Sequence, residues 1–306
     1  MLYFLYRKML RKIDCFIFYN ELEMLYYRLS VLYPFMDAFV LVESMHTFTG
    51  NLKPLFFSEN RERFAPFLDK IIHIVITDMI PDLMIKNNKY QPNSDQWKNE
   101  RYQRNCIALG IEKYEKKIGQ SLNNDDLLFI SDVDEIIDTK KMKNIEDSVI
   151  PTGGIIELSM DFYYYNIEKL MKQEWNYVKV VSYEYYKNIS MIQEDHRLKS
   201  MPDISNKIRL KEYVFHLNEK AGWHLSYFGD SKFIQNKIQH FSHQEYNSNQ
   251  YTDLNAIEIC TKKGIDLFGR NIEIKNVKID ENNYLPPFPT STFSGKGDFP
   301  YHNTSN

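Results

Sequence analysis

The feature that most constrains this chain is a series of short, almost wholly apolar runs separated by longer stretches of helical pattern. Ile13-Asp14-Cys15-Phe16-Ile17-Phe18-Tyr19, Ala38-Phe39-Val40-Leu41-Val42, Ile71-Ile72-His73-Ile74-Val75-Ile76 and Leu127-Leu128-Phe129-Ile130 each have strand length. A strand that is apolar throughout, rather than at every second position, must be covered on both faces. Between the first two runs, Asn20 precedes a segment with acids in its first turn and an apolar stripe at Leu22, Leu25, Leu29 and Leu32, a helix signature. A long helix is expected over about residues 95–118. Strands alternating with helices in this way specify an α/β fold with a doubly wound, mostly parallel sheet flanked by helices.

The second half reads differently. Gly154-Ile155-Ile156-Glu157-Leu158 looks like a further strand, followed by aromatic-rich stretches of weaker periodicity. The simplest division is one domain over 1–285, with a first half of about 13–150 and a second of 151–285. A Pro-, Ser- and Thr-rich tail then covers 286–306.

Composition removes several function classes. A net charge of −3 with scattered Lys and Arg gives no field for nucleic acid. Three cysteines without CxxC or Cys/His spacing point to neither a disulfide framework nor a zinc site, and suit a reduced compartment. The apolar run at the N-terminus is broken by Arg7-Lys8 and is too short to span a bilayer. A soluble, cytoplasmic protein is the expectation; oligomeric state is not legible.

The most informative segment is Leu127-Leu128-Phe129-Ile130-Ser131-Asp132-Val133-Asp134-Glu135, where an apolar strand delivers three carboxylates within four residues. In open α/β sheets the ligand crevice lies at the carboxyl ends of the strands. Carboxylates crowded there repel one another, and a hard divalent cation, Mn2+ or Mg2+, resolves that repulsion while leaving coordination positions for phosphate oxygens. If the pleat persists, Asp132 and Asp134 point the same way and Val133 packs behind them. The competing reading is a solvated acidic turn. An EF-hand is disfavoured because Ile137 stands where the loop needs Gly. A phosphohydrolase with Asp132 as nucleophile, or a non-catalytic nucleotide- or sugar-binding module, stays open.

On the long helix, Trp97, Arg101, Arg104, Asn105 and Ala108 share one side, beside an apolar stripe of Ile107, Ile111, Tyr114 and Ile118. Arg101 and Arg104 are candidates to meet a diphosphate through their planar guanidinium groups; pairing with Glu100 is the alternative.

Several stretches, in order, resemble glycosyltransferase family 17. They are Phe16-Ile17-Phe18-Tyr19-Asn20-Glu21-Leu22-Glu23, Val42-Glu43-Ser44 with Thr47-Phe48-Thr49-Gly50, Lys53-Pro54-Leu55-Phe56-Phe57, Trp97-Lys98-Asn99-Glu100 with Gln103-Arg104-Asn105, Ser131-Asp132-Val133-Asp134-Glu135-Ile136, and Ala221-Gly222-Trp223-His224-Leu225-Ser226. They cover roughly residues 13–270. The resemblance implies a GT-A fold and an inverting, metal-dependent transfer of a sugar, GlcNAc, from a UDP-sugar such as UDP-GlcNAc to a glycan or other hydroxyl acceptor. It implies Asp132, Asp134 and His224 as metal ligands, with Asp132 also on the donor diphosphate. It further implies Asn20, Glu21, Glu43 and Thr49 near the base and ribose.

The stretch 161–203 matches less well than its flanks. An acceptor base, a carboxylate, is sought in this half, where Asp161 and Asp195 are the leading candidates beside Glu194 and Asp203. Glu135 is a candidate to orient the metal site, His243 and Glu245 to line the pocket, and Tyr163, Tyr164, Trp175 and Trp223 to stack on sugars.

Overall fold

In the computed structural model, residues 10–83, 89–189, 201–212 and 214–287 are described. The first half builds β1 (Lys12–Phe18), α1 (Leu22–Leu32), β2 (Ala38–Ser44), the short α2 (Phe56–Glu59), β3 (Ile71–Ile76), α3 (Asp95–Asn105), α4 (Ile107–Ile118) and β4 (Leu127–Asp132). The second half adds β5 (Glu135–Ile137), α5 (Met142–Val149), β6 (Ile155–Tyr164), β7 (Lys169–Met171), β8 (Trp175–Ser182), α6 (Tyr183–Asn188), α7 (Ser205–Arg209), β9 (Phe215–Ser226), α8 (Ser231–His240), α9 (Asn249–Thr252), α10 (Leu254–Lys263) and β10 (Ile274–Asn276).

One mixed sheet carries strands of both halves, in the order β10-β7-β6-β8-β4-β1-β2-β3, with β9 joined to β6 and β5 to β9. The ladders β4–β1, β1–β2 and β2–β3 are parallel, as the apolar runs require, and β8 enters antiparallel to β4. Seven of the ten described strands run in one direction; β5, β7 and β8 oppose them. The sheet is thus parallel in direction for most of its strands, but antiparallel pairings dominate its second half.

Both faces of the first half are covered. Phe16, Phe18, Phe39, Leu41 and Phe129 point into one core with α1, while Ile13, Cys15, Val40, Val42, Leu128 and Ile130 point into the other with α3 and α4. This is the two-residue alternation of a strand in which both sets are apolar. On α4, Gly110 lets helix and sheet meet, since a Cβ there would lie 2.1 Å from Val40 Cγ1. A third core, around Phe162, Tyr164, Tyr227, Ile234, Ile238 and Ile257, seats α8 and α10 against the far ends of β6 and β9.

The long helix expected over 95–118 is two helices. The chain breaks at Cys106 (φ −65°, ψ −5°), where Leu109 N–H bonds to the Cys106 carbonyl in a tight turn. The two pieces have different work. α4 is amphipathic and packs on strands. The buried face of α3 is polar: the Gln103 amide donates to the carbonyls of Phe18 and Val42, and the Asn99 amide to those of Phe48 and Ile80. So α3 lies across the carboxyl ends of β1 and β2, where backbone carbonyls need donors. Among the described residues no helix is long and apolar enough to cross a membrane.

Candidate active site

The Asp132–Glu135 turn stands where β4 leaves the sheet, and a buried arginine shapes it from below. Arg28 of α1 is fully buried and forks onto Asp14 at 2.6 and 2.8 Å. It also donates to Ser131 Oγ at 2.6 Å and to the carbonyls of Asp132 and Glu135 at 2.9 and 2.7 Å. A guanidinium offers five donors in a fixed fork, and here they bind the strand end and turn into one shape. Neither Arg28, set within the apolar stripe of α1, nor Asp14, set within an apolar strand, was singled out by the sequence reading.

The turn separates the two aspartates. β4 stops at Asp132, so the pleat does not persist and the carboxylates face different partners. Val133 packs into the core as expected. Asp132 accepts from Arg104 Nη1 at 2.6 Å and from Arg209 Nη2 at 3.0 Å. Burial opposes its charge, yet these guanidinium groups hold its carboxyl down at about 2. With both oxygens taken, Asp132 is poorly placed to serve as a phosphohydrolase nucleophile. Asp134, nearly fully buried, accepts from Lys237 Nζ of α8 at 3.0 Å and lies 3.5 Å from His224 Nε2. Despite burial, Lys237 and then His224 hold its carboxyl far below the usual carboxylate range.

Glu135 is the hinge of the arrangement. It is fully buried, takes a two-pronged ion pair from Arg209, accepts from the Trp175 indole, and receives the Asp132 backbone N–H at 2.8 Å. Its register partner across β5 and β9 is His224, which is how the histidine arrives beside Asp134. The close approach of β9 depends on Gly222, where a Cβ would lie 2.3 Å from the Ile136 carbonyl oxygen. The imidazole of His224 is stacked on Phe162 (centroids 4.6 Å apart, 18° between planes) and against Trp175 at 4.2 Å. Its Nδ1 is buried and has no hydrogen-bond partner among the described residues.

Asn20 and Glu21 complete the same region. Glu21 Oε1 lies 3.4 Å from Lys237 Nζ, and its other oxygen caps the Asn20 N–H at 3.1 Å. The Asn20 amide donates to Asn236 Oδ1 at 3.2 Å, leaving Asn20 Oδ1 buried and without a partner among the described residues. On α3, Glu100 holds Arg104 at 3.1 Å and accepts from Ser242 just beyond α8. Asp132, Asp134, Glu135, Glu21 and Glu100 thus oppose Arg104, Arg209 and Lys237, a formal excess of two negative charges.

The remaining candidates lie elsewhere. Arg101 turns outward and donates to the Pro92 carbonyl at 2.8 Å. Asn105 is spent on Asp203 and on the Asn206 N–H, tying α3 to α7. Glu43 is fully buried, accepting from Phe57 N–H and meeting His73 Nε2 at 3.0 Å. Thr49 closes a turn with Thr47 and Asn51. These four side chains hold the scaffold and do not reach the turn. Asp161 pairs with Trp223 in register while Phe162 pairs with His224, so strand alternation sends its carboxylate to the face away from His224, where Lys220 binds it. Asp195 and Glu194 lie outside the described residues, as does the tail from 288. The stacking candidates Tyr163 and Trp223 are core residues.

Among the described residues no cluster of three or more His, Cys, Asp and Glu side chains forms a metal cage. Asp134 and His224 form a pair, and a pair suits a cation that takes its other ligands from substrate phosphates and water. The excess negative charge and the unpartnered histidine fit the same reading.

Comparison with known proteins gives one extensive match: residues 3–274 match the model of glycosyltransferase family 17. No curated protein matches. Among solved structures, a protein described as a glucose-1-phosphate thymidylyltransferase from Bacillus anthracis, in complex with a sucrose, is similar at 12% identity. The similarity covers 70% of this chain and 88% of that one, with a TM-score of 0.33, too distant to carry fold or chemistry across.

Proposed function

Because this chain belongs to glycosyltransferase family 17, we propose that it is a metal-dependent, inverting transferase of the GT-A type that moves a sugar, GlcNAc, from a UDP-sugar to a hydroxyl of a glycan acceptor. The observation that carries the reading is the strand-end turn itself. Two aspartates two residues apart are held charged by Arg104, Arg209 and Lys237 at the carboxyl end of a parallel strand. The parallel first half that delivers this turn supports the fold type.

Asp134 and His224 would hold Mn2+ or Mg2+, which neutralises charge developing on the leaving diphosphate. Arg104 and Arg209 supply fixed positive charge beside Asp132 and need little reorganisation as charge grows there. Asn20 Oδ1, buried and without a partner among the described residues, is offered to a ribose hydroxyl or base N–H. In transfer, the acceptor oxygen bonds to the anomeric carbon while the bond from that carbon to the diphosphate oxygen breaks. A carboxylate takes the acceptor proton; Asp195 holds that role in this proposal, since Asp161 faces away.

The test is release of UDP from UDP-GlcNAc in the presence of Mn2+ and a panel of glycan acceptors. The expected result is acceptor-stimulated UDP release with inversion at the anomeric carbon. Release of inorganic phosphate from phosphomonoesters, with no UDP formed from any UDP-sugar, would contradict the proposal.

A further inference from the structure

Beyond Glu100 the side chains along α3 change character. Trp97, Glu100 and Arg104 follow one another along one stripe of α3 at spacings of three and four. Trp97 is therefore about 10 Å along the helix from Arg104, a distance that a disaccharide spans. Around Trp97 stands a second aromatic group, separate from the Phe162–Trp175 stack on His224. The His243 ring meets the indole edge-on at 4.7 Å and lies nearly parallel to Tyr90 at 6.0 Å. Tyr90 meets the indole edge-on at 5.9 Å.

Tyr90 is 56% exposed and the His243 side chain 42%, so the cluster opens to solvent. The Trp97 Nε1–H is buried and has no partner among the described residues, although a buried indole N–H ordinarily finds one. Carboxylates flank the rings. Glu245 meets His243 Nδ1 at 2.7 Å, and Glu100 is one helical turn away.

Exposed rings, one unspent N–H donor and adjacent carboxylate acceptors form a combination with a definite complement. The flat C–H face of a pyranose packs on an aromatic ring, and its hydroxyls, each donor and acceptor, meet the polar groups at the ring's edge. The three rings meet one another and Glu245 rather than a guanidinium or ammonium group, which matches a sugar better than a diphosphate. A purely apolar ligand would leave the indole N–H unsatisfied.

We propose that Tyr90, Trp97 and His243 form a pyranose-binding subsite that holds one sugar ring of the acceptor. Assignment of that ring to the acceptor rests on the transferase reading; the binding of a pyranose does not.

The experiment is saturation-transfer NMR on the full chain without nucleotide, using the methyl glycosides of glucose, mannose, galactose and N-acetylglucosamine as probes. At least one is expected to receive saturation from the protein's aromatic protons. Trp97→Ala and Tyr90→Ala should each weaken its binding by about tenfold, and Trp97→Phe by less. Tyr90 is half-exposed, so its alanine variant keeps the test alive if Trp97→Ala fails to fold. The proposal is overturned if the wild-type protein binds none of the four, or if a variant with unchanged thermal unfolding binds as the wild type does. Pyranoside binding lost in the variants of a chain that cleaves no nucleotide sugar would uphold the subsite while removing the transferase reading.

Discussion

Two polar networks meet the Asp132–Glu135 turn, one from below and one from above, and they differ in what they leave unspent. Below, Arg28 shares its donors among Asp14, Ser131 and turn carbonyls, and the guanidinium and the Asp14 carboxylate are fully buried. Above, Lys237, Asp134, Glu21, Asn20 and His224 are less deeply buried, the Lys237 side chain being 20% exposed. Among the described residues Asn20 Oδ1 and His224 Nδ1 have no partner, and the carboxylates outnumber the cations. A satisfied network specifies shape. A buried network with leftover capacity is costly unless something else completes it. On that criterion the lower network is scaffold and the upper one is the proposed site.

The sharpest way to break this comparison is to attack stability from below. Arg28→Met leaves Asp14 charged and buried and strips donors from two turn carbonyls. Loss of about 3–5 kcal/mol is expected in urea unfolding, the range for one partner removed from a buried pair. Asp134→Ala attacks the upper network, where the main loss is of function: transfer falls on the order of 100- to 1000-fold in kcat/KM, with a smaller loss of unfolding free energy than Arg28→Met causes, because Lys237 stays partly solvated.

Acid titration sharpens the contrast further. Asp132 is held down at about 2 from an ordinary 3.8, and Asp134 is displaced in the same direction. The unfolded chain therefore binds these protons first, so their stabilisation is complete above about pH 4 and is lost as pH falls toward 2. Asp134→Asn should flatten part of that slope when unfolding is followed between pH 5 and pH 2.5. The smallest effect belongs to Arg101→Ala. Its side chain reaches only the Pro92 carbonyl, so stability should move by less than about 0.5 kcal/mol, with transfer kinetics unchanged.

What the sequence made legible follows from range. The first four strands were readable because each is a contiguous apolar run, and the strand-end acids because they are adjacent in the chain. His224 was reachable through its resemblance segment. Arg28, Arg209 and Lys237 were not, because each is an isolated cation whose partners in the Asp132–Glu135 turn lie 74 to 107 residues away and no local pattern marks it. The break at Cys106 carries no local signal, since neither Gly nor Pro stands between Asp95 and Leu109; it follows from the amides of α3, which serve strand-end carbonyls. Glu43 and Thr49 sat at the expected strand ends, but only the fold reveals that a helix N–H and a turn had already claimed them. Asp161 shows how one residue of strand register decides whether a carboxylate faces a site or a core.

The central claim is that Asp134, with His224, makes nucleotide binding depend on a divalent cation. Calorimetric titration of UDP into the wild-type chain and into Asp134→Ala, each with and without Mn2+, tests it most directly. In the wild type, Mn2+ should tighten UDP binding by at least about tenfold, and that enhancement should vanish in Asp134→Ala while the variant stays folded. Equal enhancement in both proteins, or no binding of UDP to the wild type under either condition, would contradict it.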